Sequence, residues 1–488
     1  MGVRGRRHAE DYTVELRGVT SLAAHEAAKP KRTWLNLRKT PDVLRGMEIS
    51  SQRKKLLFVV ALALAFLFRL AFGLCLDFWT QVEDEKQIYL LGLKFFTTGA
   101  WPYFGADVTN TIQLPGALQG LVVGLPFYVL PFPEAPYVLV NILSFASLCF
   151  FGWYCTRRLP EIPKWFVWAW LLTAPWTLNI STQIYNPSYV LPAAILFFVC
   201  AIETYPFLGR GLVPLKWANF AMGLSLCWVV QFHLSWVILL PFIVLSLYFQ
   251  VKCSGWLGLK GLIYFGAGAI LTGSLLIPTV VKYGLSGALG NTNEAVQFNY
   301  ANLIKSSNIV EGILGRFLSF ASFELPRFIG GNTAKRLLFM RENPWLIPFV
   351  VFLTVVGILQ PIALLVLWFK RKHSVKDWKA MKYFTLATVV LLYLSFLFAI
   401  RTPLSHTFYL TLPIAMLYSF YCWNEFLKKK SWQKFALIFV ICGIIFNIGL
   451  AINNYSRVSI YLDRSRVVEA IKARDYRIVG ERRAGARY

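Results

Sequence analysis

Residues 51–96, SQRKKLLFVVALALAFLFRLAFGLCLDFWTQVEDEKQIYLLGLKFF, decide how the chain is read. Arg53, Lys54 and Lys55 precede an apolar run near 56–76, long enough for the roughly 17–25 residues that a bilayer crossing needs. A basic flank on a first membrane helix predicts that the N-terminal side stays in the cytoplasm. Directly after the run, Asp77, Glu83, Asp84 and Glu85 fall within nine residues. The chain then turns amphipathic, with Ile88, Leu91 and Phe95 on one helical face. Trp101, Tyr103 and Phe104 follow as interface aromatics. The pattern predicts a membrane helix leading into a helix on the outer surface, with carboxylates at its N-terminal end.

Composition extends this reading to the whole chain. The 488 residues are 57% hydrophobic and only 15% charged, with mean hydropathy +0.53, against about 25% charged in soluble domains. Forty Phe, 22 Tyr and 17 Trp exclude a disordered or collagen-like chain. A net charge of +26 would point to nucleic acid in a soluble protein. Here the basic residues stand between apolar runs, so they report membrane topology, and no nucleic-acid partner is expected. The eight cysteines sit singly in or beside apolar segments, without zinc or disulfide spacing.

The fold class expected is an all-α polytopic membrane protein with about 11–13 transmembrane helices. Apolar stretches fall near 56–76, 116–155, 163–181, 189–208, 216–231, 234–250, 257–281, 346–369, 383–400, 407–424 and 433–452. Residues 1–46 read as a polar leader, with Met47 as an alternative start; 47–452 form the membrane module and 453–488 a basic tail. Arg157, Arg158, Arg210, Lys252, Lys370 and Lys428 mark cytoplasmic loops if the proline-rich 116–155 region makes one net crossing. The other side then receives 77–115, 182–188, the Gln231–His233 break, the long loop 282–345 and Arg401–His406. The tail also falls there, although Arg464, Arg466, Lys472 and Arg474 fit the positive-inside rule poorly.

Chemistry is expected on that outer side. A carboxylate at Asp84 or Glu85 could take a proton from a hydroxyl or bind a divalent cation; a solvated helix start favoured by the dipole is the plain alternative. No Asp-X-Asp occurs in the loop, so a metal stays an open option. Asn186, in YNPSYVLP, opens a helix at a turn signal. Gln231, His233 and Ser235 interrupt an apolar run, and polar groups at membrane depth should face protein or a wet cavity. The loop 282–345 carries an amphipathic run with Ile309, Ile313, Phe317 and Phe320. Its second half holds Lys335 and Arg341, a basic set suited to lipid phosphate, and Arg401 and His406 add two more cations.

These pieces, in this order, resemble the integral-membrane glycosyltransferases of the GT-C superfamily, nearest to the protein O-mannosyltransferase and aminoarabinose transferase group. The likeness runs from about residue 56 to 452. It rests on Asp84-Glu85 followed by KQIYLLGLKFFTTGAWPYF, and more weakly on YNPSYVLPAAILFF, QFHLS and HTFYLTLP. In TIQLPGALQG, Leu114 precedes Pro115 where many relatives have His or Lys, which leaves Gln113 as the substitute. The resemblance implies a GT-C-like helical bundle with amphipathic juxtamembrane helices in the first external loop. It also implies a polyprenyl-phosphate sugar donor, a glycan, lipid or protein acceptor, and contact with membrane lipids. Asp84 would be the base and Glu85 its support, with Arg341, Arg401, His406, Lys335 and His233 as candidates for the departing phosphate. The implied location is a bacterial inner (plasma) membrane with the site on its periplasmic side.

A transporter or flippase would share the composition, but would be expected to carry ionisable groups near the bilayer midplane, and no spanning segment has a carboxylate there. A lipid-linked glycan polymerase or ligase would concentrate its polar residues in one large external loop. A scaffold would leave the acidic loop without a reason.

Overall fold

The computed structural model describes residues 51–75, 82–107, 113–289, 298–304, 317, 333–370, 375–398, 409–455 and 464–476. The expectations for the 1–46 leader, the Met47 start, Arg401, His406 and the amphipathic run of the long loop, apart from Phe317, lie outside these residues. Of the unit Met1–Leu57, only the opening turns of one helix are described; all other elements belong to Phe58–Tyr488.

Helix α1 is Ser51–Cys75 and α2 is Val82–Thr98. An antiparallel pair follows, β1 Phe104–Asp107 and β2 Gln113–Pro115. Next come α3 Leu118–Gly124, α4 Pro126–Val129, α5 Ala135–Arg158, α6 Lys164–Thr173, α7 Pro175–Asn179 and α8 Asn186–Thr204. Then α9 Leu215–Val230, α10 Leu239–Ser254, α11 Lys260–Gly273 and α12 Ile277–Leu289. The chain continues with α13 Thr333–Glu342, α14 Ile347–Trp368, α15 Trp378–Ser395, α16 Leu412–Phe426, α17 Lys430–Asn454 and α18 Arg464–Ala473.

Seven helical runs among the described residues are long and apolar enough to cross a membrane, so the chain is an all-α integral membrane protein. The expected 11–13 spans counted shorter pieces. Leu118–Val129 and Leu215–Val230 are apolar but short, and the stretch expected at 163–181 is broken. Ala174 is extended (ψ 138°) and Pro175 has no amide, so the turn between α6 and α7 frees backbone carbonyls. Arg69 of α1, fully buried, answers them: Nη1 donates to Leu172 O (3.1 Å) and Nη2 to Thr177 O (2.7 Å) and Ser181 Oγ (2.7 Å). A guanidinium at that depth is tolerated because it carries several fixed acceptors at once.

The two ends of the bundle can be told apart by who meets whom. At one end the C-termini of α5 and α8 and the start of α15 meet around Arg158. At the other, Asn186 opening α8, Gln231 closing α9 and Thr272 near the end of α11 meet the β1–β2 pair and α3. Helices α3 and α4 stay at this second end, and α5 alone carries the chain across to Arg158. Within the 116–155 region, Ala135–Arg158 is the one run long and apolar enough to cross a membrane, as the expected single net crossing requires.

Packing within the bundle is uneven. α8 and α16 are buried along nearly their whole length, whereas α1 and α14 expose leucine and valine as lipid-facing helices do. α9 and α11 touch backbone to backbone: a Cβ on Gly223 would overlap Phe265 O, and one on Gly268 would overlap Phe220 O. Small residues at such a crossing let dispersion replace the hydrophobic effect that lipid does not supply.

The first loop differs from a run of surface helices. After α2, Pro102, Gly105 and Pro115 stop helix formation and the β1–β2 pair forms instead. α2 buries Ile88, Tyr89, Leu90, Leu91 and Leu93 against α3 and β1. Its remaining flank receives α18, which buries Val467, Ala470 and Ile471. Arg464 Nε bonds Glu134 Oε1 (2.8 Å), Arg474 lies over the Phe96 ring (5.4 Å) and Lys94 over Tyr476 (5.4 Å). The described part of the basic tail, 464–476, thus lies at the end occupied by α2.

Candidate active site

The acidic start of α2 lies at the Asn186 end. Asp84 is in its first turn, and its side chain is outside the described part. Glu85 is described and half-buried, and its Oε1 accepts a hydrogen bond from the Tyr137 hydroxyl of α5. That bond turns one carboxylate lobe toward the protein and fixes where the first turn of α2 points. Asn141, one turn along α5, donates Nδ2 to Tyr137 O (2.9 Å) and Thr182 O (3.1 Å), so the α7–α8 loop is tied to the Glu85 support. Tyr189, one turn into α8, is close enough to Glu85 to feel its charge. It stacks on Phe232 at 4.9 Å between ring centroids.

Amide side chains build the rest of this end. Gln119 Oε1 accepts from Ala106 N (2.5 Å), and its Nε2 donates to Asn186 Oδ1, joining β1, α3 and α8. Asn186 is thus both the first residue of a proline-started helix and a hydrogen-bond partner of the first loop. Gln231, fully buried, donates to Cys227 O (3.1 Å) and Thr272 O (2.9 Å) and accepts from Leu118 N (3.3 Å). Gly116 has φ +110°, and a Cβ there would overlap Gln231 Oε1. Glycine is therefore required twice at that position, for backbone and for space.

His233 caps the following 3₁₀ turn: its Nδ1 accepts from Ser235 N (3.1 Å), which places the ring proton on Nε2. Burial disfavours the imidazolium and pushes the pKa down to about 4. Gln113, on β2, has both polar atoms of its amide buried without a hydrogen-bond partner among the described residues. The same holds for Asn141 Oδ1, Gln183 Nε2 and the Tyr189 hydroxyl.

Of the sequence-predicted residues, Glu85, Asn186 and Gln231 fall at one end of the bundle, and Gln113 lies on the hairpin at that end. Lys335 and Arg341 lie on α13, with Arg341 exposed in its last turn, where a cation favours the helix dipole. Their helix contacts the turn Pro344–Leu346. No group of three or more metal-ligating side chains occurs among the described residues.

Sequence reasoning missed Tyr137, Asn141, Gln183 and Tyr189. A tyrosine in an apolar helix reads as an interface anchor, and only the fold places it on a carboxylate. It also missed the opposite end. There buried Arg158 donates to Tyr421 Oη (2.7 Å), Tyr154 Oη (2.9 Å), Leu208 O (2.9 Å) and Asp377 Oδ2 (2.5 Å), and pairs with Glu203 at 3.5 Å. Arg210 completes Asp377 (2.8 Å), and Glu203 Oε2 accepts from the amides of Arg210 (2.9 Å) and Leu212 (3.0 Å).

No family model, curated protein or solved structure matches the chain.

Proposed function

We propose that the protein is a membrane glycosyltransferase that moves a sugar from a polyprenyl-phosphate donor to an acceptor hydroxyl at the Asn186 end. The observation that carries this reading is the acidic helix start, Asp84-Glu85, with a Tyr137 hydroxyl holding Glu85 at an end of the bundle where several buried polar groups have no hydrogen-bond partner among the described residues. A lipid-linked donor enters sideways from the bilayer, so its anomeric carbon arrives at such an interface. Asp84 takes the proton of the acceptor hydroxyl, and that oxygen bonds the anomeric carbon. The carbon–phosphate oxygen bond breaks, and its electron pair leaves with polyprenyl phosphate. A single displacement of this kind inverts the anomeric carbon. Cations near the outer helix ends stabilise the departing phosphate; Lys335, Arg341, Arg401 and His406 are the candidates. The positive-inside rule, applied to the basic loops at the Arg158 end, supports a cytoplasmic side there and chemistry on the extracytoplasmic face, periplasmic in a bacterial inner membrane.

The test is release of polyprenyl phosphate by wild type and by Asp84→Asn in lipid nanodiscs supplied with polyprenyl-phosphate sugars. Loss of a general base lowers turnover by roughly 10²–10⁴, with donor binding kept. Undiminished release by the variant removes Asp84 from the chemistry.

Arg69 favours a second reading, transport or flipping of a polar or lipid-linked substrate, since ionisable groups inside a bundle often mark a translocation path. Its hydrogen bonds to the α6–α7 turn and Ser181 give it a fixed structural duty. That weighs toward transfer.

A further inference from the structure

We infer that α18 and the 125–132 segment together form a binding surface for anionic phospholipid, whose headgroups hold α18 on α2. The inference stands apart from the transfer reading, and three observations carry it. The first is an apolar patch: Leu125, Tyr128, Val129, Leu130 and Phe132 are exposed, Val129 by 80%. Pro131 follows the single turn of α4, so the patch is too short to cross a membrane and stays at this end of the bundle. The second is depth. Phe132 stands two residues before Glu134, which caps α5, a helix of membrane length. Arg464 Nε bonds Glu134 Oε1 at 2.8 Å. A bond to the residue that opens a crossing helix puts the start of α18 at the edge of the bilayer, the level of headgroup phosphates. At the far end, Arg474, one residue past α18, lies 5.4 Å over Phe96, and Phe96 packs edge-on against Tyr128 at 4.8 Å. Both ends of α18 are thereby tied to residues that border the patch.

The third observation is charge. Val467, Ala470 and Ile471 of α18 are buried, while Arg464, Arg466, Lys472 and Arg474 are exposed. Residues 453–488 hold nine Lys and Arg against four Asp and Glu. This excess directly follows a crossing helix and lies at the end away from the basic loops around Arg158, the reverse of what topology alone places there. Cations at headgroup depth beside an exposed apolar patch are the two halves of an interfacial site: the patch enters the acyl boundary and the cations meet lipid phosphate. An acidic protein partner would match the charges, but not an apolar patch set at the level where α5 enters the bilayer.

The full chain is placed in nanodiscs of phosphatidylcholine alone and of phosphatidylcholine mixed with phosphatidylglycerol. Amide hydrogen exchange is followed in α18, with α8 as the internal reference. One Lys or Arg near an anionic surface is worth about fivefold in binding. Exchange across 467–471 is therefore expected to slow about tenfold or more when phosphatidylglycerol is present, with α8 unchanged. The gain should vanish at about 1 M salt, where the screening length is about 3 Å. It should also vanish in the double variant Arg466→Glu, Lys472→Glu, which leaves the buried face of α18 intact. Val129→Ser with Leu130→Ser should reduce it severalfold by weakening the apolar anchor. Equal exchange in the two lipid compositions would overturn the inference, and so would a charge-reversed variant that keeps the gain. Equal slowing by inorganic phosphate added to phosphatidylcholine discs would make this a free-anion site and overturn the lipid assignment. A helix docked on α2 by packing alone gives the first of these results.

Discussion

The two ends of this bundle handle buried polarity in opposite ways. Around Arg158, two arginines, two carboxylates and two tyrosines are paired with one another and with backbone. Around Glu85 the groups are mostly neutral amides and phenols, and several have no partner among the described residues. A closed ionic set holds α5, α8, α15 and α16 in one arrangement and has nothing left to give a ligand. An open neutral set is poor for stability and good for recognition. The contrast marks the Arg158 end as structural, and under the proposed transfer reading it leaves the Glu85 end for chemistry.

The strongest way to break it is Arg158→Met. If the Arg158 end is structural, this leaves the Glu203 side chain buried without its cation and half-buried Asp377 with Arg210 alone, and should cost about 3–5 kcal/mol, read as a large drop in melting temperature. Loss of transfer at unchanged stability would reverse the assignment. Arg69→Lys is next. One ammonium cannot reproduce the forked contacts to Leu172, Thr177 and Ser181, so about 1–3 kcal/mol of stability should go. Unaltered unfolding would show that the break between α6 and α7 does not depend on it.

At the open end the expected effects move from stability to rate. Tyr137→Phe removes this hydrogen bond to Glu85 and should lower transfer about tenfold, the equivalent of one hydrogen bond, with little change in melting temperature. A fall in stability without a fall in rate would make Tyr137 another structural tie. At neutral pH the smallest effect is at His233. Its pKa is near 4 when folded against about 6.5 when unfolded, so the unfolded chain binds more protons between those values. Stability from this group is complete above about pH 6.5 and is lost as pH falls toward 4. His233→Asn keeps a cap acceptor without the titration and should flatten that slope in acid melting curves.

Much of the fold could be read in advance because its signals are local. An apolar run of membrane length, a basic flank and a proline at a helix start each act within a few residues, and α1, α5, α8, α14 and α17 follow from them. The α6–α7 break was also written locally, in Ala174-Pro175, but a long apolar run obscured it. The candidate site was legible at Glu85, Asn186, Gln231 and Gln113, where the residue type itself is unusual for its surroundings. Arg158 and Arg210 read as loop charges, because their partners Glu203 and Asp377 stand far along the chain. Tyr137 and Tyr189 read as apolar-helix aromatics. Partnership over such separations is a property of the packed bundle and leaves no periodic trace.

The docking of α18 on α2 sets an order of assembly. α2 is translated early, yet the element that covers its flank is translated after every other described one. A growing chain therefore carries the acidic helix half-covered through most of its synthesis, and the helix reaches its final surroundings only when the tail arrives. Shortening the tail, or fusing a bulky domain to it, would act directly on the helix that bears Asp84 and Glu85.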